Sequence, residues 1–413
     1  MMEETSTTPR RRLHDSSGPA ESDVLDGLHD GAGLLLPSSD AAADDWSDVR
    51  HSERRGRDRV LADEVILQLL AKSDFQGCKR LFLHLCVLGG TGSFIHYCQA
   101  LSFAPGAAGG HVVIFLWLPL LLAALFTHGF VLQCLGYCCQ HECMHRSAFR
   151  TKWLNDWVGF LVSVSCFEFF CHEKLMHKQH HTFTGDVRRD PEITSFWPDL
   201  GRSSDAPSAS EDSTLETTFR KVPDSVFGRY GYFSEFFCLH RTVYSHAMRL
   251  VNCARGNPVD YSGVRWSLSD QEKHCVRSEL RAAARLQLGL YCSVFLIAAT
   301  TSSFGNLLLY WVLPAVLGFA PIHFVRNGEH ADCALDHKQG LRNTRTTRSN
   351  FVIRHLMWNM NLHAEHHLYP MIPFYNLPKL RDFLDQHLEK KSKGFWEVNW
   401  RMVFEWIPKQ QAM

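Results

Sequence analysis

Charged residues are missing from two long stretches of this 413-residue chain. No Asp, Glu, Lys or Arg lies between Leu81 and His141, and none lies between Leu286 and Val325. Stretches of this length without charge would be exceptional in a water-soluble domain, whereas a transmembrane helix needs about 20 apolar residues. The mean hydropathy of −0.16 hides this segregation. The sequence therefore predicts an integral membrane protein with soluble segments.

An excess of charge of either sign is also absent, because 43 Lys and Arg balance 43 Asp and Glu. No nucleic-acid partner is therefore expected. The 14 cysteines include no C-x-x-C pair, and many of them lie in the charge-free stretches. This pattern excludes a secreted disulfide framework and predicts buried free thiols that face a reducing compartment.

The chain divides into three parts. Residues 1–63 are polar and lack apolar periodicity, so we expect a disordered cytosolic tail that is neither a secretory signal nor a transit peptide. Residues 64–390 form the predicted membrane-embedded domain, which contains a soluble insert at 185–285. Residues 391–413 form a C-terminal tail.

Each charge-free stretch is long enough for two spans that are joined by a turn. The four transmembrane helices are predicted at about 81–103, 112–135, 286–304 and 307–325. A shorter apolar run, Trp157–Phe167, is below spanning length and is predicted to be interfacial or re-entrant. Because each pair of spans returns the chain to the side that it left, the segments outside the two turns share one side of the membrane.

That shared side carries the basic residues that flank the spans, whereas the two turns carry no charge. The flanking residues are Lys79, Arg80, Arg146, Arg150, Lys152, Arg281, Arg285 and Arg326. By the positive-inside rule, this side and both termini face the cytosol.

Three histidine clusters lie on the same side. Residues 141–145 read H-x-x-x-H, and residues 177–181 and 363–367 both read H-x-x-H-H, a pattern that should start roughly once in several thousand positions by chance. Positions i, i+3 and i+4 share one face of a helix, so each cluster is predicted to aim two or three imidazoles at one point. The eight predicted metal ligands are His141, His145, His177, His180, His181, His363, His366 and His367.

Eight imidazoles are too many for one four-coordinate zinc ion, but they suit two iron ions. Oxygen that is activated on iron can attack an unactivated C–H bond, and clusters at the mouth of a four-span bundle would lie beside a groove for a lipid tail. The nearest carboxylates in the sequence either orient the imidazoles or are solvated surface charges. They are Glu142, Asp190, Glu192 and Glu365.

The three histidine clusters, or histidine boxes, and their spacing resemble those of the integral-membrane fatty acid desaturase and hydroxylase family. The resemblance runs from about Leu81 to Leu384. Further stretches resemble the family as well, namely Arg188–Glu192, Asn359–Leu362, His367–Pro370 and Leu377–Leu380. The resemblance implies an all-α membrane protein in which four transmembrane helices and a cytosolic helical cap hold a histidine-rich di-iron site. It also implies a ninth ligand after the fourth span, where Arg326–Ala331 makes His330 the candidate. The segment Asn343–Thr347 resembles one branch of the family and has no assigned role.

The resemblance further implies a fatty acyl desaturase that uses O2 as co-substrate and acts on a lipid or acyl chain. A membrane lipid, hydrocarbon or carotenoid hydroxylase of the same family is the alternative. The chain departs from some members because it contains no H-P-G-G haem motif of a fused cytochrome b5 module. Electrons are therefore expected from a separate carrier, which would be cytochrome b5 in the endoplasmic reticulum, the expected location, or ferredoxin in a plastid.

Two other functions are compatible with parts of the sequence. Residues 141–145 also read H-E-x-x-H, which is typical of zinc metalloproteases, with Glu142 as base and a third ligand from Asn257–Asp260. That hypothesis leaves both H-x-x-H-H clusters unexplained. A metal transporter would instead place its ligands at the midplane of the membrane, where His84, His96 and His128 form no pattern.

Overall fold

The two charge-free stretches fold into long helices in a computed structural model of the chain, which describes residues 61, 63–102, 110–186, 190–192, 239–256, 270–336 and 340–406. The predicted N-terminal tail and much of the predicted insert lie outside these residues. Within them, four helices are long and apolar enough to cross a membrane. These four spans are Asp74–Leu101, Trp117–Met144, Arg277–Thr300 and Phe304–His330. The predicted fold class, an all-α membrane protein with four spans, is confirmed.

The spans belong to longer helical units. Helix α2 (Asp74–Ser102) forms span 1, and α3 (Gly110–Cys134) continues through the π-helical turn Leu135–Cys139 into α4 (Gln140–Met144) to form span 2. Span 3 lies in α8 (Asp270–Thr300). Span 4 is built from α9 (Phe304–Leu307), the π-helical turn Leu308–Val312 and α10 (Leu313–His330).

Shorter elements form the cap. The helices are α1 (Asp63–Leu69), α5 (Lys152–Ser165), α6 (Phe170–Phe183), α7 (Leu239–Arg255), α11 (Phe351–Leu356), α12 (His363–Leu368), α13 (Leu377–Leu384) and α14 (Phe395–Arg401), the last continuing as the π-helical turn Met402–Trp406. Strand β1 (Thr346–Thr347) pairs in parallel with β2 (Lys391–Ser392).

Spans 2 and 4 extend further toward the cap than the sequence predicts. The predicted ends lie near residues 135 and 325, but the helices run on to Met144 and His330, past the first charged residues Glu142 and Arg326. An α-helix satisfies its backbone hydrogen bonds internally, both in the apolar region and in the cap. Each helix can therefore continue past the point where the apolar residues end. His141 and His330 therefore lie on the spans themselves rather than beyond them.

Spans 2 and 4 pack closely through two glycines. A side chain at Gly129 would overlap the carbonyl oxygen of Pro314, and one at Gly318 would overlap the carbonyl oxygen of Gly129. Gln133 adds a hydrogen bond of 2.8 Å from its Nε2 to the carbonyl oxygen of Ala315. Small residues allow such close approach between helices in lipid, where no hydrophobic driving force joins them. This contact sets the relative position of the two cap-side helix ends.

The ends of spans 1 and 2 meet on the same side, as the predicted topology requires. The Asp74 carboxylate at the start of span 1 accepts hydrogen bonds from the backbone N–H (2.8 Å) and Oγ1 (2.7 Å) of Thr151, which follows span 2. The apolar run Trp157–Phe167 forms most of α5, which meets α6 at an angle of 108°. Its outer face exposes Trp153, Trp157 and Leu161, which fits the predicted interfacial or re-entrant position.

Candidate metal centre

All nine histidines singled out from the sequence lie together where spans 2 and 4 enter the cap. They form two adjoining groups, in each of which one ligand atom per residue lies within 4.8 Å of all the others. The five-imidazole group consists of His141, His145, His177, His181 and His366, and the four-imidazole group of His180, His330, His363 and His367. Eight of the nine are buried, and His330 is half-buried. The chain therefore brings together every histidine that was predicted as a ligand.

The two H-x-x-H-H clusters each contribute to both groups, because two imidazoles of each cluster meet at one point, within the predicted two or three, and the third joins the other group. Positions i and i+4 of the cluster on α6, His177 and His181, join the five-imidazole group, while position i+3, His180, joins the other. On α12 the assignment is exchanged, because positions i and i+4 (363 and 367) join the four-imidazole group and position i+3 (366) joins the five-imidazole group. Adjacent helical residues diverge by about 100°, so neighbouring imidazoles point to different centres.

The spacing of the ring nitrogens fits metal ligation. Nε2–Nε2 distances are 2.9 Å for His145–His177 and for His177–His181, 3.2 Å for His181–His366 and 3.0 Å for His330–His363. A metal–imidazole bond is about 2.1 Å long, so two such bonds at a right angle put their nitrogens about 3 Å apart. The observed nitrogen–nitrogen distances match the distance expected between two neighbouring ligands of one ion.

Several ring nitrogens of the two groups make no hydrogen bond within the described part of the chain. Among the described residues, both ring nitrogens of His141, Nε2 of His180 and Nε2 of His367 are buried without a hydrogen bond. A buried polar atom without a partner costs about 1–3 kcal/mol, so a protein rarely keeps several in one place. A cation in each group would bind these lone pairs, and the residues therefore fit a metal centre.

The protonation of the cap imidazoles suits ligation. Burial and the neighbouring imidazoles lower the pKa of His177, His181, His363 and His367 well below the ordinary value. Burial also lowers the pKa of His145, to about 3. These rings are neutral at physiological pH, and the neutral ring is the form that binds a metal.

His180 differs because a carboxylate faces it. Its Nδ1 lies 2.8 Å from Oδ1 of Asp190, whose Oδ2 accepts a hydrogen bond from the backbone N–H of Gly185. Burial lowers the pKa of His180, but Asp190 and Glu192 oppose this effect and the pKa is raised to about 9. At this pKa the ring carries a proton on Nε2 as well, so a cation in the four-imidazole group would displace the Nε2 proton while Nδ1 goes on donating to Asp190. Asp190 thus orients an imidazole, which was one of the two roles predicted for it.

Glu142 and Glu365 have neither of the roles predicted for them. Both are fully buried, so they are not surface charges. Glu142 accepts hydrogen bonds from Oγ of Ser147 (2.7 Å) and from the backbone N–H of Phe374 (3.1 Å), which ties the end of span 2 to the cap. Glu365 accepts a hydrogen bond from Oγ1 of Thr346, and burial raises its pKa to about 7.

Sequence reasoning missed a buried carboxylate beside the four-imidazole group. Oε2 of Glu329 lies 3.9 Å from Nε2 of His363 and accepts a hydrogen bond of 2.6 Å from the Tyr137 hydroxyl. The Arg326 guanidinium lies 4.6 Å from the centroid of the Tyr137 ring. An ionisable residue at the end of an apolar span is a signal of function in itself, and it would have drawn attention to Glu329.

The arrangement disfavours the metalloprotease hypothesis. His141 and His145 share their group with three further imidazoles, and Oε2 of Glu142 accepts hydrogen bonds from Ser147 and Phe374. Residues 257–260, offered as a source of the third ligand, lie outside the described residues.

The fold and the site define an integral-membrane protein with a buried, histidine-rich site that fits metal ions. The sequence profile of the family described as fatty acid desaturase matches residues 115–399, and the chain belongs to this family. The resemblance seen in the histidine boxes is thereby confirmed, and family membership makes the protein an oxidoreductase.

Curated relatives support the same family at low identity. The chain is 22% identical over 274 residues to an sn-1 acyl-lipid omega-3 desaturase (ferredoxin) of Nostoc sp. (strain 36), a match that covers 63% of this chain and 67% of the relative. It is 23% identical over 277 residues to a Delta(9) fatty acid conjugase-like enzyme of Dimorphotheca sinuata, covering 63% and 68%. A shorter match of 50 residues, 38% identical, covers 12% of this chain and 14% of an sn-1 oleoyl-lipid 12-desaturase of Arthrospira platensis.

Proposed function

We propose that this protein is a membrane-bound, O2-dependent fatty acyl desaturase whose nine imidazoles hold two iron ions. The observation that carries the proposal is the division of these imidazoles into two adjoining groups of five and four. Each group contains histidines from both α6 and α12, and each group has enough imidazoles to bind an ion of its own. Two such groups indicate a pair of ions rather than a single ion.

Iron is the proposed metal because of the donor set. Both groups consist of imidazoles, with no thiolate, and five imidazoles exceed what a four-coordinate zinc site uses. When bound, the iron pair supplies, with O2, an oxidant that can remove hydrogen from an unactivated C–H bond. Formation of the double bond takes one hydrogen from each of two adjacent carbons. O2 accepts these two hydrogens, two electrons and two protons and leaves as two molecules of water.

The chain's own residues hold the imidazoles in place and exclude water. The hydrophobic core that includes Cys143, between His141 and His145 in the sequence, also contains large side chains that are less than 2% exposed, namely Trp358, Phe149, Phe160, Phe170 and Phe374. Exclusion of water keeps a strong oxidant from side reactions. The site lies at the ends of the spans, so an acyl chain can reach it from the apolar side of the membrane.

The two electrons come from a separate carrier under this proposal. The Nostoc relative is named as a ferredoxin-dependent enzyme, and cytochrome b5 is the corresponding carrier at the endoplasmic reticulum. We propose the endoplasmic reticulum as the membrane of this protein. We also propose that the metal site faces the cytosol, because the basic residues that flank the spans lie on the side of the cap. Supplying purified protein with each reduced carrier in turn will identify the donor.

Lipid profiling tests the proposal. A host that expresses this chain should gain an unsaturated acyl species that depends on O2, whereas a host that expresses the His366→Ala variant should not. The purified protein should contain two iron ions per chain. A new hydroxyl group in place of a double bond would establish the hydroxylase alternative. One zinc ion and no iron would contradict the proposal.

A further inference from the structure

The segment Asn343–Thr347, which has no role assigned from the sequence, lies buried beside the four-imidazole group. All five of its residues are polar, and none is more than 3% exposed. Buried polar groups are normally hydrogen-bonded, so the partners of such a segment indicate what it holds. We call this segment the strap.

The first partner of the strap is His330. The carbonyl oxygen of Asn343 lies 3.1 Å from Nδ1 of His330. A carbonyl oxygen can only accept, so the proton of the neutral ring is on Nδ1. Nε2 of His330 is then unprotonated, and it lies 3.0 Å from Nε2 of His363 within the four-imidazole group. The strap thus selects the form of His330 that binds a metal through Nε2.

The second partner is Thr184, at the end of α6. Nδ2 of Asn343 donates a hydrogen bond of 3.1 Å to the carbonyl oxygen of Thr184. Oγ1 of Thr184 donates to the carbonyl oxygen of His180 (2.7 Å) and accepts from Nδ1 of His367 (3.2 Å). Because its hydroxyl proton is used, Thr184 can only accept from His367, which leaves Nε2 of His367 unprotonated. This Nε2 is buried and lacks a hydrogen bond among the described residues.

The third partner is the start of α12, which carries His363. The backbone N–H of Thr347 donates to the carbonyl oxygen of Asn361 (2.9 Å), and Nδ2 of Asn361 donates to the carbonyl oxygen of Thr347 (2.9 Å). On the other side, the backbone N–H of Arg345 donates to the carbonyl oxygen of Glu329 (2.8 Å), next to His330. The strap therefore joins α10 to α12 across the four-imidazole group.

We propose that Asn343 and Thr184 are positioning residues that assemble the metal site of the four-imidazole group and leave that of the five-imidazole group intact. They act on His330 and His367, both members of the four-imidazole group, by fixing which ring nitrogen is available. Residues that orient metal-bound histidines in this way change metal affinity about 10- to 100-fold when they are replaced. This inference rests on the proposed function, in which each group holds one iron ion.

Two variants test it. Thr184→Val keeps the size of the side chain but removes the acceptor for His367. Asn343→Ala keeps the backbone carbonyl that accepts from His330, but it removes the amide that ties this part of the strap to the end of α6 at Thr184. Each should bind one iron ion with unchanged affinity and the other about 10- to 100-fold more weakly. Anaerobic titration of purified protein with ferrous iron measures both affinities, and a Mössbauer spectrum distinguishes a single ion from a pair. Thr184→Ser retains the hydroxyl group and should restore two tightly bound ions.

Matched controls separate this role from general structural loss. Thr182→Val removes a hydroxyl from the same helix that donates to the carbonyl oxygen of Lys178 (2.9 Å). Asn376→Ala removes a buried amide that donates to the carbonyl oxygen of Leu69 (2.8 Å). Both controls should keep two ions. Gel filtration in detergent confirms folding, and Thr184→Ala, which only removes atoms, replaces Thr184→Val if that variant does not fold.

The outcomes are distinguishable. Two tightly bound ions in both Thr184→Val and Asn343→Ala would overturn the role of these residues. Loss of both ions from a folded variant would overturn their restriction to the four-imidazole group. If the unaltered protein itself fails to bind two iron ions, the proposed function fails, whatever the variants do.

Discussion

Nε2 of His330 lies 3.0 Å from Nε2 of His363, although the two residues belong to different helices and are 33 positions apart. His330 is the last residue of α10, and His363 is the first residue of α12. His330, the candidate ninth ligand, therefore lies in direct contact with the histidine cluster at residues 363–367. An ion bound there would have both His330 and His363 as ligands.

We expect His330→Ala to reduce the iron content from two ions to about one and to reduce activity with it. The reason is that the four-imidazole group would keep only three of its nitrogens. Iron analysis and turnover, measured on the same preparation, test this prediction. Full iron content with normal turnover would show that His330 is not a ligand. Full iron content with lost turnover would assign it a role in placing the substrate.

Replacement of a box histidine should have a larger effect. His141→Ala and His366→Ala each remove a nitrogen from the five-imidazole group, and we expect each to reduce turnover at least about 100-fold with loss of iron. The exposed residue His387 supplies the control, since His387→Ala should leave both properties unchanged. Normal turnover in either box variant would contradict the assignment of ligands.

His84 is unsuitable as such a control, although the sequence presents it as a span residue without a pattern. It is fully buried, its Nε2 lies 2.9 Å from the carbonyl oxygen of Val131, and its Nδ1 accepts a hydrogen bond of 3.2 Å from Nε1 of Trp358. Replacing it would leave the buried indole N–H of Trp358 without this partner, at a cost of about 1–3 kcal/mol. His84→Ala should therefore be destabilised without any direct effect on the ions.

Removal of the metal should destabilise the protein. The proposed iron ions bind the folded state of the chain and not the unfolded state. At a free iron concentration 100 times the Kd, this binding adds about 2.7 kcal/mol per site to the free energy of unfolding. A chelator should therefore lower the melting temperature of the purified protein by several degrees, and added ferrous iron should restore it. An equal melting temperature with and without the chelator would indicate that the imidazoles hold no ion.

The contact between spans 2 and 4 gives a prediction about packing. Gly318→Val should force the two helices apart, at a cost of about 1–3 kcal/mol, and should also lower the iron content, because His141 and His330 lie on these helices. Gly289→Val is the matched control, since a side chain at Gly289 in span 3 meets no atom within 4 Å. Equal thermal stability and iron content in the two variants would show that the glycine contact is unimportant.

The proposed orientation can be tested with accessibility tags. A tag at Gly305, in α9 at the start of span 4, should report the side of the membrane opposite the cytosol. A tag at Lys393, in the cap, should report the cytosol. If both tags report the same side, spans 3 and 4 do not form the predicted hairpin. If both are exchanged, the metal site faces away from the cytosol.

The sequence predicts the four spans because a membrane tolerates few charged residues, and a stretch without charge can be recognised from the order of residues alone. It also predicts the nine histidines that come together. It does not predict how they divide, because the division depends on the rotation of α6 and α12 about their axes in the assembled cap. The roles of Glu142 and of the strap were equally inaccessible, since the partners of Glu142, Ser147 and Phe374, lie 5 and 232 positions away.

The exchange of positions between the two H-x-x-H-H clusters has a mechanical consequence. His180 and His181 are neighbours on α6 but serve different groups, and so do His366 and His367 on α12. Any tilt or rotation of either helix would therefore displace imidazoles of both groups at once, because the turn of about 100° between successive residues directs neighbouring side chains to different groups. The two groups cannot be moved separately.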